Sequence, residues 1–322
     1  MTRWGILGPG HIAHKFAKDL QTLPDAQLYA VASTDQPRAD AFAQEYGMTH
    51  AFGTYDGLLT LPDLDVVYVA TPHVKHHDNV LMLLKGGIPV LGEKPFAMNS
   101  QQVREMVDTA RAKQVFLMEA LWSRFMPVIQ RAKQLVDDGA IGTVTGVRAD
   151  FGFAAPFLPD RRLFNKSLGG GSLLDIGIYP LFWSYLMLGM PERVKASAIF
   201  GHTGVDEQCG MVLTYPNGEL AMLDSTLRTT TPCEAFVHGT GGQIRVHSRW
   251  HETIGLTLER SGHDPEPMTF PRQTFGYDYE AVHVMQCLAE GRTESPVWSL
   301  IDSLNLMTLL DTVRAEAGIV YA

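Results

Sequence analysis

The chain is predicted to be α/β: an N-terminal doubly wound parallel sheet, then an α+β part carrying a large, mostly antiparallel open sheet. Three observations predict this. Up to residue 121, short apolar runs alternate with helix-like stretches, the pattern of successive βαβ units. Gly8-Pro9-Gly10-His11-Ile12-Ala13 stands between the first apolar run and the first helix-like stretch. Beyond residue 121, strand-like segments follow one another with turn residues between them, so the sheet there changes type. The domains are therefore set at 1–121 and 122–322, with the C-terminal helix free to pack back on the first.

The strands of the first domain are expected at Trp4–Leu7, Leu28–Ser33, Val66–Ala70, Val90–Leu91 and Val115–Met118. Helices lie between them, at Ile12–Leu20, Arg38–Tyr46, Val74–Lys85 and Ser100–Ala112. Gly47 and Gly86-Gly87 fall where helices stop. Ser100, with Glu105 following, reads as a helix start. In the second domain a helix over Met126–Val136 ends at Gly139. Strands then follow at Val144–Phe151, Ala196–Phe200, Gly210–Thr214, Glu219–Thr226, Glu234–His238 and Ile244–Val246. Asn217-Gly218 between two alternating runs is a hairpin signal. A helix near Ser172–Leu188 precedes most of this sheet, and helices at Tyr277–Glu290 and Leu300–Ala315 close the chain.

The 322 residues suit two domains rather than one core, and 45% hydrophobic with 19% charged residues is the composition of a globular protein. A net charge of −9 argues against a nucleic-acid surface. No apolar run approaches the roughly 20 residues that span a bilayer, so no membrane partner is expected. The first strand begins by Trp4, leaving no room for a signal peptide. Cys209, Cys233 and Cys287 are widely spaced and odd in number, as buried thiols in a reducing compartment would be. A cytoplasmic location follows as an expectation.

Gly8-x-Gly10-x-x-Ala13 after a strand and opening a helix is a Rossmann dinucleotide fingerprint. Gly8 allows the tight turn, Gly10 lets the backbone approach a pyrophosphate, and Ala13 lets helix and strand pack closely. The helix start at His11 and Ile12 supplies amide donors and partial positive charge. At the end of the second strand, Ser33 and Thr34 with Arg38 suit the 2′-phosphate of NADP. Asp35, two residues on, would instead hold the ribose of NAD. NADP is the preferred reading.

Thr71-Pro72 ends one parallel strand and Glu93-Lys94-Pro95 the next. Such strand ends face the ligand crevice of an open parallel sheet. His76 is expected to line the cofactor pocket. His73, His76, His77 and Asp78 crowd one turn without distant partners, so no metal is expected. In Gly169-Gly170-Gly171-Ser172-Leu173-Leu174-Asp175-Ile176-Gly177-Ile178-Tyr179, the acid and the phenol are four apart on one helix face. A nearby ammonium stabilises phenolate, which lets Tyr179 exchange a proton with a hydroxyl or carbonyl. Phe151, Phe153 and Phe157 are candidates for an apolar wall over the substrate. Arg161 and Arg162 either meet an anionic group or are solvated.

Together these motifs resemble the glucose–fructose oxidoreductase/inositol dehydrogenase family. Met118-Glu119-Ala120-Leu121-Trp122-Ser123-Arg124-Phe125-Met126-Pro127 and Tyr179 are similar to its branch of dimeric dihydrodiol dehydrogenases and NADP-linked xylose dehydrogenases. The resemblance implies hydride transfer between a nicotinamide and a carbon of an aldose, cyclic polyol or trans-diol. It implies Lys94 and Tyr179 as the catalytic pair and Asp175 as support for substrate hydroxyls. It places Thr71, Pro72, His76, Glu93, Lys94, Trp122 and Arg124 beside cofactor or substrate. It also implies a homodimer, or dimer of dimers, through the second domain's sheet. Ser33-Thr34 departs from the Ala-Arg pair of some NADP-linked members, leaving Arg38 as the main phosphate partner. Two other readings on the same fold are a non-catalytic dinucleotide sensor and an NAD-dependent glycosidase.

Overall fold

The alternation of the first 121 residues folds into a six-stranded parallel sheet. A computed structural model describes residues 1–321. Its elements are β1 (Thr2–Leu7), α1 (His11–Leu20), β2 (Ala26–Ala32), α2 (Gln36–Tyr46), β3 (His50–Phe52), β4 (Val66–Val69), α3 (His76–Lys85), β5 (Val90–Glu93), α4 (Ser100–Lys113) and β6 (Leu117–Ala120). The strand order is β3-β2-β1-β4-β5-β6, the doubly wound order, whose direction reverses between β1 and β4. β4, β5 and β6 are buried along their whole length, because helices cover both faces of a parallel sheet.

The second sheet is built from β7 (Val144–Gly152), β8 (Arg193–Phe200), β9 (Asp206–Thr214), β10 (Leu220–Thr226), β11 (Ala235–Gly239), β12 (Gly242–Val246), β13 (Gly255–Arg260) and β14 (Glu266–Thr269). Its order is β14-β13-β12-β11-β7-β10-β9-β8, antiparallel except for the parallel pair β7 and β10. The Asn217-Gly218 turn joins β9 to β10, with Thr214 opposite Leu220 and Gly218 at φ 92°. α5 (Pro127–Asp137) and α6 (Ile178–Leu188) pack on one face of this sheet and bury Val147, Ala149, Ala221 and Leu223. α7 (Asp278–Ala289) and α8 (Leu300–Ala317) come last in the chain.

Two compact units result: Met1–Arg124 with Arg272–Leu304, and Phe125–Pro271 with Asn305 onward. The segment from Arg272, assigned from sequence to the second domain, belongs with the first. Its tie is Asp19 on α1, whose carboxylate accepts from the amides of Phe275 (2.9 Å) and Tyr277 (2.8 Å) just before α7. Nothing local in the sequence announces a bond across that many residues.

Other expectations are corrected. β3, β13 and β14 went unread: β3 has three residues, and β14 carries Pro267, which only an edge strand tolerates. Asn99 rather than Ser100 caps α4, accepting from the Gln102 amide at 2.9 Å. One helical run, Lys166–Leu188, is in fact long and apolar enough to cross a membrane. Its most apolar 18-residue window is 83% buried, which gives it the character of a core helix. The helix expected from Ser172 opens as a π-turn, Leu173–Gly177, before α6 begins.

Candidate active site

The first unit holds the glycine loop. Gly8 sits at φ 91°, and a Cβ there would meet Thr71 Cγ2 at 2.9 Å and the Ala70 carbonyl at 3.1 Å, so both backbone and neighbours demand glycine. Gly10 differs: φ −94° and ψ −175° are open to any residue, and a Cβ there would have no atom closer than 4.0 Å. Glycine at position 10 is thus unexplained by the protein alone and fits the close approach of a pyrophosphate. No side chain caps the start of α1 among the described residues, which leaves the first-turn amides facing that space. Ala13 is fully buried, which suits close packing of helix and strand.

Arg38, near the start of α2, donates to the Pro9 carbonyl from Nε (3.2 Å) and a terminal nitrogen (2.9 Å). The guanidinium is therefore held beside the glycine loop while the residue stays exposed, at one side of a cavity of about 280 Å³ lined also by Gly10, His11, His14 and Phe42. Ser33 is buried and its Oγ accepts from the Asp35 amide at 3.2 Å, while Thr34 and Asp35 are exposed.

Thr71, His76 and Pro95 are joined. His76 is buried, with Nε2 2.7 Å from the Thr71 carbonyl and Nδ1 2.8 Å from the Pro95 carbonyl. Thr71 Oγ1 accepts from Asn79 at 3.0 Å. Lys94 precedes a cis Pro95; its amide donates to Glu93 Oε2 at 3.1 Å, and the Tyr68 hydroxyl donates to Glu93 Oε1. Glu119 accepts from the Phe96 amide (3.2 Å) and Trp298 Nε1 (3.1 Å), fixing the loop after Pro95; burial pushes its pKa up to about 7. Trp122 is buried with its ring 4.7 Å from that of Tyr277, and Arg124 is partly buried.

Beneath this loop lies Glu280 of α7, fully buried with neither carboxyl oxygen hydrogen-bonded. Burial, then the charges of Glu93 and Asp19, push its pKa well up. An acid whose folded-state pKa is raised gives stability that is full below its unfolded value of about 4.5 and is lost as pH rises toward the raised value. Glu280→Gln removes that loss. The variant is expected to melt several degrees above the parent at pH 8, with the gap closing toward pH 5; parallel pH–Tm curves would contradict this.

The second unit holds the acid and the phenol. Asp175 lies in the π-turn and Tyr179 in the first turn of α6, both buried. Asp175 Oδ1 accepts from Arg162 at 2.6 Å, so the arginine that reaches the acid is Arg162; its neighbour Arg161 is exposed. The Tyr179 ring lies 5.5 Å from Phe151 and 5.3 Å from His251, which itself stacks on Phe151 at 4.2 Å. Trp250 closes the box edge-on to Tyr179 at 6.5 Å. Phe153 packs on the cluster of Phe164, Ile176, Val205 and Leu227. Phe157 is half exposed and meets Phe164 edge-on at 5.1 Å.

His251 and Trp250 were not read from the sequence, since they precede a strand that was itself missed. Cys233 Sγ lies 3.8 Å from His251 Nδ1; burial pushes its pKa up to about 12, which makes it an inert thiol.

Known proteins share this sequence and fold. Residues 2–121 match the model of the oxidoreductase family with an NAD-binding Rossmann fold, and residues 129–245 that of the GFO/IDH/MocA C-terminal domain. The chain is 42% identical to trans-1,2-dihydrobenzene-1,2-diol dehydrogenase of Xenopus laevis, over 99% of both chains. It is 35% identical to the enzyme of that name from Homo sapiens, over 99% of this chain and 98% of the other. A solved 3-ketoreductase from Actinomadura kijaniata, in complex with NADP and TDP-benzene, superposes with TM-score 0.88 at 27% identity, covering 98% of each chain. An aldose–aldose oxidoreductase from Caulobacter crescentus superposes with TM-score 0.89 at 25% identity, covering 98% of this chain and 97% of the other. A dinucleotide cradle in one unit and a buried acid and phenol in the other accompany a full-length match, and the chain belongs to the GFO/IDH/MocA family of NAD(P)-dependent oxidoreductases.

Proposed function

We propose that the protein is an NADP-preferring dehydrogenase or reductase acting on a cyclic trans-diol, an aldose or a cyclic polyol, with Tyr179 as acid/base and Lys94 assisting. The observation that carries this is Tyr179 itself: a buried phenol held in a box of aromatic rings, four residues from a carboxylate already neutralised by Arg162. The nicotinamide, when bound, supplies or accepts the hydride. Tyr179 Oη takes the hydroxyl proton in oxidation and returns it in reduction. Lys94 is the assisting residue of this reading, since an ammonium beside a phenol favours its phenolate form. The Phe151 face supplies flat apolar area for a ring, and Asp175 with Arg162 supplies polar partners for its hydroxyls. The diol dehydrogenase names of the full-length relatives support the diol end of this range.

Preference for NADP rests on Arg38, whose guanidinium the Pro9 carbonyl keeps at the glycine loop. Thermal shift with NADP(H) and NAD(H) in parallel tests it. A ligand at about 100 times its Kd stabilises by about 2.7 kcal/mol, so a clear shift with NADP(H) and a smaller one with NAD(H) is expected. A shift with NAD(H) alone would move the ribose contact to Asp35. Turnover of trans-diols, aldoses and polyols, monitored by reduced-nicotinamide absorbance, then tests the reaction.

We also propose a homodimer, or dimer of dimers, through the outer face of the eight-stranded sheet. The strand registers lay one row across that face, Lys195, Val212, Met222, Arg148, Phe236 and Arg245, apolar and basic. The neighbouring row holds the acids Asp224 and Asp150, with Glu234 next to them. Val212 (42% exposed), Leu220 and Met222 leave apolar surface uncovered around a groove of about 480 Å³. A two-fold axis that set one copy's basic row over the other's acidic row would make this an isologous contact. Met222→Glu is expected to shift the mass by light scattering from dimer to monomer; a parent that is monomeric at micromolar concentration would refute the interface.

A further inference from the structure

The π-turn Leu173–Gly177 is an uncommon conformation, and such turns gather at functional sites. It carries Asp175 and directly precedes Tyr179. A π-turn holds one residue more than the α-turn it replaces. Its collapse would rotate α6, and Tyr179 with it, by one residue's share of a helical turn, about 100°. Something must hold it open.

The holder is on another element. Asp206, the first residue of β9, is fully buried. Its Oδ2 accepts from the Leu173 amide at 2.7 Å and from Ser172 Oγ at 3.1 Å. Ser172 Oγ lies 3.1 Å from Ser225 Oγ on β10; since Ser172 donates to the carboxylate, Ser225 donates to Ser172. The glycines fit this arrangement closely. A Cβ on Gly171, at φ 125°, would lie 2.1 Å from Asp206 Oδ1, and one on Gly177 would lie 2.9 Å from Ser225 Oγ. Both ends of the π-turn are therefore seated on the Asp206–Ser172–Ser225 chain, where no side chain larger than hydrogen fits.

We propose that Asp206 is a positioning residue: its buried carboxylate, acting through the Leu173 amide and Ser172, holds the π-turn that aims Asp175 and Tyr179, without itself touching substrate. This rests on the reading of Tyr179 as the acid/base. Burial pushes the Asp206 carboxyl up to about 6. The titratable groups facing it are the Cys209 thiol on its own strand and the Tyr321 phenol, against whose ring Arg314 of α8 lies at 5.8 Å. The two neighbours stay neutral through this range, because burial raises both. Protonation of Asp206 weakens its grip on the Leu173 amide, so activity declines as pH falls through about 6.

The test compares the parent with Asp206→Asn, Asp206→Ala and Ser225→Ala. Amide hydrogen exchange over 173–179, kcat and KM from pH 5 to 8, and NADPH binding as a control on the first unit are measured. Asp206→Ala is expected to exchange faster at 173–179 and to lose at least about tenfold in kcat, with NADPH affinity unchanged. Asp206→Asn keeps an accepting oxygen, so it is expected to retain more activity at neutral pH and to lose the acid-side decline. Ser225→Ala falls between. A lower Tm with unchanged exchange at 173–179 and unchanged kcat would make Asp206 a scaffold residue only and overturn the proposal. So would an acid limb that persists unaltered in Asp206→Asn. If the parent turns over no diol, aldose or polyol yet Asp206→Ala loosens 173–179, the positioning stands and the reaction reading falls.

Discussion

The Tyr179→Phe enzyme is expected to lose at least about 100-fold in kcat while binding NADP(H) as the parent does. The substitution removes one oxygen and keeps the ring, so the contacts with Phe151, His251 and Trp250 survive and the fold is not at issue. A factor of 100 is about 2.7 kcal/mol of transition-state stabilisation, the scale of one positioned proton-transfer group. Under the assisting role proposed for Lys94, Lys94→Ala is expected to fall as far, since a phenolate that loses a stabilising cation becomes costly. The Glu93–Tyr68 pair that anchors the loop involves the residue before Lys94 and remains in that variant. Steady-state kinetics with a cofactor titration decides the matter. Parent-like kcat in both variants would remove Tyr179 and Lys94 from the reaction, whereas lost cofactor binding would show that they act before the chemistry.

Gly10→Ala is expected to leave the Tm of the cofactor-free protein within a degree or two and to weaken NADP(H) binding by at least about tenfold, or about 1.4 kcal/mol. The backbone at Gly10 suits alanine, and the added methyl meets no protein atom within 4.0 Å. It enters only the space before the start of α1. Gly8→Ala is the contrasting control. There the methyl strikes Thr71 and the Ala70 carbonyl at a positive φ, so stability falls by about 1–2 kcal/mol even without cofactor. Unchanged affinity in Gly10→Ala would mean that the pyrophosphate does not pass over this loop. The pair of variants therefore separates a glycine that the fold requires from one that a ligand requires.

Much of this molecule is written locally. The alternation of apolar runs and helix-like stretches is carried by neighbouring residues, because the periods of strand and helix are properties of short segments. So are the glycine turn at Gly8, the Asn217-Gly218 hairpin and the stop at Gly47, each of which answers to its own backbone angles. Lys94 and Tyr179 could be singled out as candidates because each stands at a local landmark: the end of a buried strand and the start of a buried helix.

The features that the tertiary structure decided have a common cause: they depend on which distant group occupies a given space. That Arg162 and not Arg161 reaches Asp175 turns on one residue of loop register, which packing sets. That His251 joins the wall beside Tyr179 depends on the connection between β12 and β13, which the pairing of those two strands sets in place. The return of residues 272–304 to the first unit is made by bonds far apart in the chain, among them two amides donating to Asp19 and Trp298 donating to Glu119. The π-turn is the sharpest instance. Ser172–Tyr179 read locally as a plain helix start, and only a carboxylate 33 residues away from Leu173 makes it open by a different turn. By itself the sequence determined most of the order of elements and the dinucleotide cradle, and it singled out the two side chains proposed to react, because each is encoded within a few residues. Their aim was left to contacts between residues far apart in the chain, which local propensity cannot specify.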